Sequence, residues 1–165
     1  MRTSPVAWAY NDLEEILEKS KEFASVTHNH PEGIKGAQAI SAAIFLAKKN
    51  STKEEIKEYI EFTFGYNLSR TLDEIRKDYK FEVSCQKSVP EAIIAFLESE
   101  NFEDAIRNAV SLGGDSDTIA AMSGSIAEAY YKGVPKHLYN KALDYLDDDL
   151  KTTVLKFQKK YIKFY

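Results

Sequence analysis

The chain has 165 residues, 44% of them hydrophobic and 12% aromatic, with a formal net charge of −4 at pH 7. That is enough apolar material for a real core, which excludes a disordered chain, while the scattered basic residues show no nucleic-acid footprint. A single cysteine, Cys85, excludes an internal disulfide, and no stretch is apolar enough to span a bilayer or patterned as a leader, so a soluble, cytoplasmic protein is expected.

The segment Met1-Arg2-Thr3-Ser4-Pro5-Val6-Ala7-Trp8 puts a tryptophan where a frayed terminus is usual, and it reads as an interior segment. Helical periodicity then dominates. Asn11 caps a first helix whose face is Leu13, Ile16, Leu17, Phe23 and Ala24, and which fades before Val26. Pro31 and Gly33 open a second, Ile34 to Lys48, apolar almost all round and therefore central. Ser51 and Glu54 have capping-box spacing for a third that runs to Phe64 and stops at Gly65, and Thr71 with Glu74 repeats the device for a short fourth. Ser88-Val89-Pro90-Glu91 starts a fifth, with Val89, Ala92, Ile93, Phe96 and Leu97 as its apolar stripe. Asn101 to Val110 forms another helix. It leads into a double-glycine turn and then into Ile119 to Tyr131, whose small residues Ala120, Ala121, Ser123, Gly124, Ser125 and Ala127 require close neighbours and burial. Gly133, Val134 and Pro135 end that helix. His137 to Tyr165 reads as two amphipathic helices broken at the solvated turn Asp147-Asp148-Asp149, and the basic stretch from Lys156 to Tyr161 is the wet face of the last. The expectation is a single domain over residues 1–165, an all-α orthogonal multi-helix bundle without repeats or linkers.

Chemistry concentrates in Ser111-Leu112-Gly113-Gly114-Asp115-Ser116-Asp117-Thr118. Two glycines permit a sharp turn, after which Asp115, Asp117 and Thr118 offer oxygen ligands suited to a hard cation such as Mg²⁺, Mn²⁺ or Ca²⁺. The competing reading is that Asp115, Ser116 or Asp117 merely caps the following helix. It leaves the paired glycines and the second aspartate unexplained, and on the turn alone both readings stand. Cys85 reads as a packed thiol rather than a nucleophile.

Gly113-Gly114-Asp115-Ser116-Asp117-Thr118, with Ile119-Ala120-Ala121 and the Gly124, Ala127 and Ala129 beyond, resembles the C-terminal signature of the ADP-ribosylglycohydrolases. Thr27-His28-Asn29-His30-Pro31-Glu32-Gly33 with Gly36-Ala37-Gln38-Ala39 resembles that family's histidine-proline segment, and Ser88 to Leu97 its preceding helix. The resemblance implies an all-α hydrolase that cleaves the glycosidic bond at the ribose C1″ of ADP-ribosylated substrates with two Mg²⁺ or Mn²⁺ ions. It implies Asp115, Asp117 and Thr118 as metal ligands, and His28 near the ribose or diphosphate with Gly113, Gly114 and Ser116 on the substrate side. His30 is structural in this reading, and no residue is assigned as the catalytic acid or base.

The family also places a glutamate, a Thr-Asp-Asp motif and a glycine-rich loop ahead of these segments, and none precedes Thr27 here. The chain thus resembles the C-terminal part of a member, a partial fold that begins at what would be an internal methionine. Three side chains cannot cage two ions that each take about six ligands, so the chain alone is expected to bind metal weakly and to hydrolyse little. An N-terminal partner segment or self-association would complete the site, covering exposed apolar surface. Two alternatives are a dimer that lends Asp147, Asp148 and Asp149 of a neighbour, and a non-catalytic module that binds ADP-ribose or a partner.

Overall fold

Ten helices and no strand occur among the described residues of the computed structural model, which are 2–82 and 84–164. They are α1 (Ser4–Ala9), α2 (Leu13–Ser25), α3 (Pro31–Lys48), α4 (Lys53–Phe64), α5 (Leu72–Asp78), α6 (Cys85–Leu97), α7 (Phe102–Ser111), α8 (Ser116–Tyr131), α9 (Lys136–Asp144) and α10 (Asp148–Tyr161). The all-α bundle read from periodicity is what forms. Met1 and Tyr165, which bound the first and last segments read from the sequence, lie outside the described residues. No helix among the described residues is long and apolar enough to cross a membrane.

Most helix starts follow cap chemistry, several of them shifted from the sequence reading. Asp12, not Asn11, caps α2 by accepting the Glu15 N–H at 3.0 Å. The capping box of α4 is Thr52 with Glu55, one residue beyond the expected Ser51 and Glu54, and Gly65 ends that helix at φ 64°. The Thr71–Glu74 box of α5 forms as expected. Helix α3 begins at Pro31 rather than Ile34, because His30 acts as its cap and its Nδ1 accepts the Glu32 N–H at 3.2 Å. Residues 88–91 are not a helix start. Helix α6 begins at Cys85, holds Pro90 inside and buries Glu91. Pro90 sits in the second turn of the helix, where its missing N–H leaves the Gln86 carbonyl without its i+4 donor. The N-terminal segment is itself helical, and Val6, Ala7 and Trp8 are buried, with the Trp8 ring edge-on to Phe164 at 5.5 Å.

Helix α3 lies at the centre, packed by α1, α2, α4, α6 and α8. Its middle buries Ala39, Ile40, Ser41, Ala42, Ala43, Ile44, Phe45 and Ala47, and the alanines let neighbours approach closely. Helices α7 and α8 form a hairpin of the same kind. A Cβ on Gly124 would lie 2.6 Å from Ile106 Cδ1, so the two helices are closer there than any larger residue allows.

Lysines from other elements close three helix ends. Lys48 Nζ donates to the carbonyls of Ala7, in the last turn of α1, and of Tyr10, just beyond it, at 2.9 Å each, and burial pushes its pKa down. Lys132 Nζ donates to Ala47 O of α3 at 3.0 Å, and Lys53 Nζ to Ser99 O beyond α6. A cation suits the negative end of a helix and satisfies carbonyls that would otherwise be orphaned.

Glu91 is the buried acid of the fold. Its Oε1 accepts from Arg70 at 2.7 Å, whereas its Oε2 is sealed from solvent and has no partner among the described residues. Burial raises its pKa, against the opposing pull of Arg70. A raised carboxyl favours folding when protonated, so its cost is absent below the ordinary glutamate value of about 4.5 and complete once the pH exceeds the folded value. The neutral isostere Glu91→Gln should therefore melt higher than the wild type near neutral pH, by an amount that shrinks as the pH falls toward about 4.5. Melting curves across that range check it, and a difference that grows on acidification would contradict it.

Candidate functional site

The turn that joins α7 to α8 takes two left-handed residues in succession, Gly113 at φ 75° and Gly114 at φ 63°. The positions are not equivalent. A Cβ on Gly113 would meet nothing within 4 Å, but one on Gly114 would lie 3.0 Å from Tyr79 Cε1, 3.1 Å from Lys80 O and 3.3 Å from Phe81 Cα. The loop after α5 thus rests directly on Gly114. Arg76 of α5 also donates to Ser111 Oγ at 2.9 Å, so the turn is held from both sides.

Asp115 follows as the N-terminal boundary residue of α8, with φ −80°, ψ 62° and no side-chain cap bond. The capping reading therefore does not account for it. Asp117 is exposed, its Oδ1 accepts the Thr118 N–H at 2.7 Å, and the Asp115 carboxyl beside it, then that N–H, hold its pKa down. Helix α8 begins at Ser116, three residues before the expected Ile119.

A cleft of about 350 Å³ opens between the starts of α3, α6 and α8. Among its lining residues are His28, Asp115 and Thr118, which sequence reading took from two segments some ninety positions apart. Gly113, Gly114, Ser116 and Asp117 are not part of that lining. Gly113, Gly114 and Asp117 are exposed at its edge of the fold. His28 is placed by its N–H donating to Ala24 O at 2.8 Å, and its Nδ1 shares a 2.7 Å hydrogen bond with Thr27 Oγ1.

Sequence reading missed Arg2 and Glu82, and it took Ser88 only as a helix start and Cys85 only as packing, although all four line the cleft. No motif marks Glu82. Cys85 sits where a Cβ on Gly36 would come within 3.6 Å of its Sγ, and Glu82 comes from the loop between α5 and α6, where no periodicity exists to be read. Glu82 accepts the Ser84 N–H at 2.9 Å and pairs with Lys87 at 3.0 Å, contacts that hold its pKa down to about 2. Tyr79 is pushed the other way, up to about 12, by burial and then by the carboxylates of Glu91, Glu82 and Asp115.

The donor set of Asp115, Asp117 and Thr118 is all oxygen, as a hard cation requires. It is small, however, and no group of three or more His, Cys, Asp or Glu side chains among the described residues is arranged to hold a metal. The residues present fit one portion of a cation site.

Because Gly113 faces open space and Gly114 does not, alanine should separate the two. Gly113→Ala carries only the left-handed backbone penalty, about 1 kcal/mol, while Gly114→Ala also displaces loop backbone and should cost about 3 kcal/mol. Denaturant unfolding of the two variants measures this, and equal losses would show that the loop does not press on Gly114.

A family model described as ADP-ribosylglycohydrolase matches residues 1–162. Among curated proteins, the chain is 28% identical over 176 residues to an ADP-ribosylhydrolase ARH3 from Gallus gallus, covering 79% of this chain and 48% of that protein. It is 29% identical over 125 residues to the ADP-ribosylarginine hydrolase Tri1 of Pseudomonas putida, covering 72% and 34% respectively. A solved structure described as an ADP-ribosylglycohydrolase-related protein complex superposes with a TM-score of 0.69 at 22% identity, over 93% of this chain and 56% of that one, and it shares the fold. The chain spans about half the length, or less, of these curated relatives. It belongs to the ADP-ribosylglycohydrolase family.

Proposed function

We propose that this family member supplies part of a hydrolase site that cleaves the glycosidic bond of ADP-ribosylated substrates, and that a further polypeptide segment or a second copy of the chain completes it. The observation that carries the reading is the cleft. Packing of α3 against α8 brings His28 to the same lining as Asp115 and Thr118, although nothing in their sequence separation requires it.

In this reading Asp115, Asp117 and Thr118 hold part of a dinuclear Mg²⁺ or Mn²⁺ centre. Such ions, when bound, acidify a coordinated water and offset charge that develops in displacement. The chain's own contribution is placement. His28 binds the ribose or diphosphate, Gly113 with Ser116 faces the substrate from the edge of the cleft, and Gly114 holds the turn beneath the loop after α5. Ligand number is what limits it, since three side chains fall well short of the twelve or so positions that two octahedral ions present.

Two features support completion by another segment. Phe23 and Val26 are exposed beside His28, and Phe81 is exposed beside Gly114, so apolar side chains flank the cleft at two places. The chain also spans only about half of its curated relatives. The lone cysteine suits a reducing compartment, the basis for placing the protein in the cytoplasm.

Thermal unfolding tests the half-site. Millimolar Mg²⁺ or Mn²⁺ should raise the midpoint by a few degrees, in keeping with the ~1.4 kcal/mol gained at ten times Kd, and Asp115→Ala with Asp117→Ala should abolish the rise. No rise in the wild type removes the metal assignment. Robust metal-dependent release of ADP-ribose by the chain at concentrations where it is a monomer removes the claim that it needs completing.

A further inference from the structure

We propose that Glu82 reads the hydroxyls of the terminal sugar, and that the cleft is polarised, with Arg2 and His28 at a phosphate end and Glu82, Asp115 and Thr118 at a sugar end. This rests on the ADP-ribose reading above and goes beyond it by assigning an orientation and a residue that no motif contains.

The two ends are distinguished by what anchors them. Arg2 donates to Phe23 O at 2.9 Å and the His28 N–H donates to Ala24 O, so both belong to the last turn of α2. Glu82 is tied to Ser84 and Lys87 at the start of α6, and Asp115 follows the turn on which the Tyr79–Phe81 segment rests. Glu82 directly follows the Tyr79–Phe81 segment that rests on Gly114, the residue before Asp115, which brings the two acids to one end of the cleft.

The chemistry of Glu82 fits a hydroxyl and not a phosphate. Its carboxylate is held at both oxygens, Oε1 by the Ser84 N–H and Oε2 by Lys87 Nζ, so it is oriented before any ligand arrives. A carboxylate oxygen accepts more than one hydrogen bond, which leaves each of these with capacity to spare. An ionised carboxylate accepts from sugar O–H groups through charge-assisted bonds and repels phosphate oxygens. A guanidinium, as on Arg2, does the reverse, because its fork of N–H donors matches phosphate. The side chain is 22% exposed, enough for a ligand to reach it and too little for full hydration.

The test is an NMR titration without added metal, using ADP-ribose and ADP as paired probes, on the wild type, Glu82→Gln and Glu82→Ala. ADP lacks the terminal ribose. If Glu82 reads that sugar, Glu82→Ala weakens ADP-ribose about tenfold and leaves ADP within about twofold, with Glu82→Gln between the two for ADP-ribose. Melting curves identify any variant that has lost its fold, and Glu82→Gln preserves the shape of the loop. Tighter ADP binding in the alanine variant would place Glu82 at the phosphate end, and equal weakening of both probes would show that it does not read the terminal sugar; either overturns the polarity. Unchanged ADP-ribose affinity in both variants overturns the role of Glu82 alone, whereas a wild type that binds neither probe overturns the ADP-ribose reading with it.

Discussion

Burial of α3 on all sides is the constraint from which the rest of the structure follows. A helix with so many alanines cannot fill space alone, so α1, α2, α4, α6 and α8 must all approach it closely, and each approach fixes where that neighbour begins and ends. The N-terminal end of α3 contributes Gly33, Gly36 and Ala37 to the cleft, and the segment just before it contributes His28. Helix α8 brings Asp115 and Thr118 to the same place. The cleft is therefore a consequence of core packing and not of any local motif.

The helix ends carry a second layer of the same argument. Lys48, Lys132 and Lys53 each reach from one element to the carbonyls that end another, which ties one end of the bundle together through polar contacts as well as apolar ones. At the other end of the bundle the control is steric. Tyr79, Lys80 and Phe81 lie on Gly114, Arg76 holds Ser111, and Asp115 is delivered by a turn that has little freedom left. Such preorganisation suits a site in which a small displacement of a ligand oxygen matters.

Charge in this region is sorted rather than pooled. Glu82 is held ionised by a backbone N–H and a lysine, while Glu91, a helix turn or two away along α6, is driven toward neutrality by burial. Tyr79 stands between carboxylates and keeps its proton. Neighbouring acids thus acquire different roles from their surroundings, one available to a ligand and one committed to the fold.

The sequence by itself determined the helical class, the order of the helices from α2 onward, the cap at Thr71 and the centrality of α3, because periodicity and cap chemistry are local properties of the chain. It also singled out Gly113 to Thr118 as a candidate ligand segment, since paired glycines before two aspartates are legible without a structure. Errors of one to a few residues arose where two residues compete for one cap, as at Asn11 and Asp12, or where a proline inside a helix imitates a start, as at Pro90. Only the tertiary structure decided that α1 forms at the N-terminal end, that Asp115 is not a side-chain cap, and that Arg2, Glu82 and Cys85 share a cleft with His28, Asp115 and Thr118. Those facts depend on contacts between residues far apart in the chain, and neither periodicity nor spacing carries information about them.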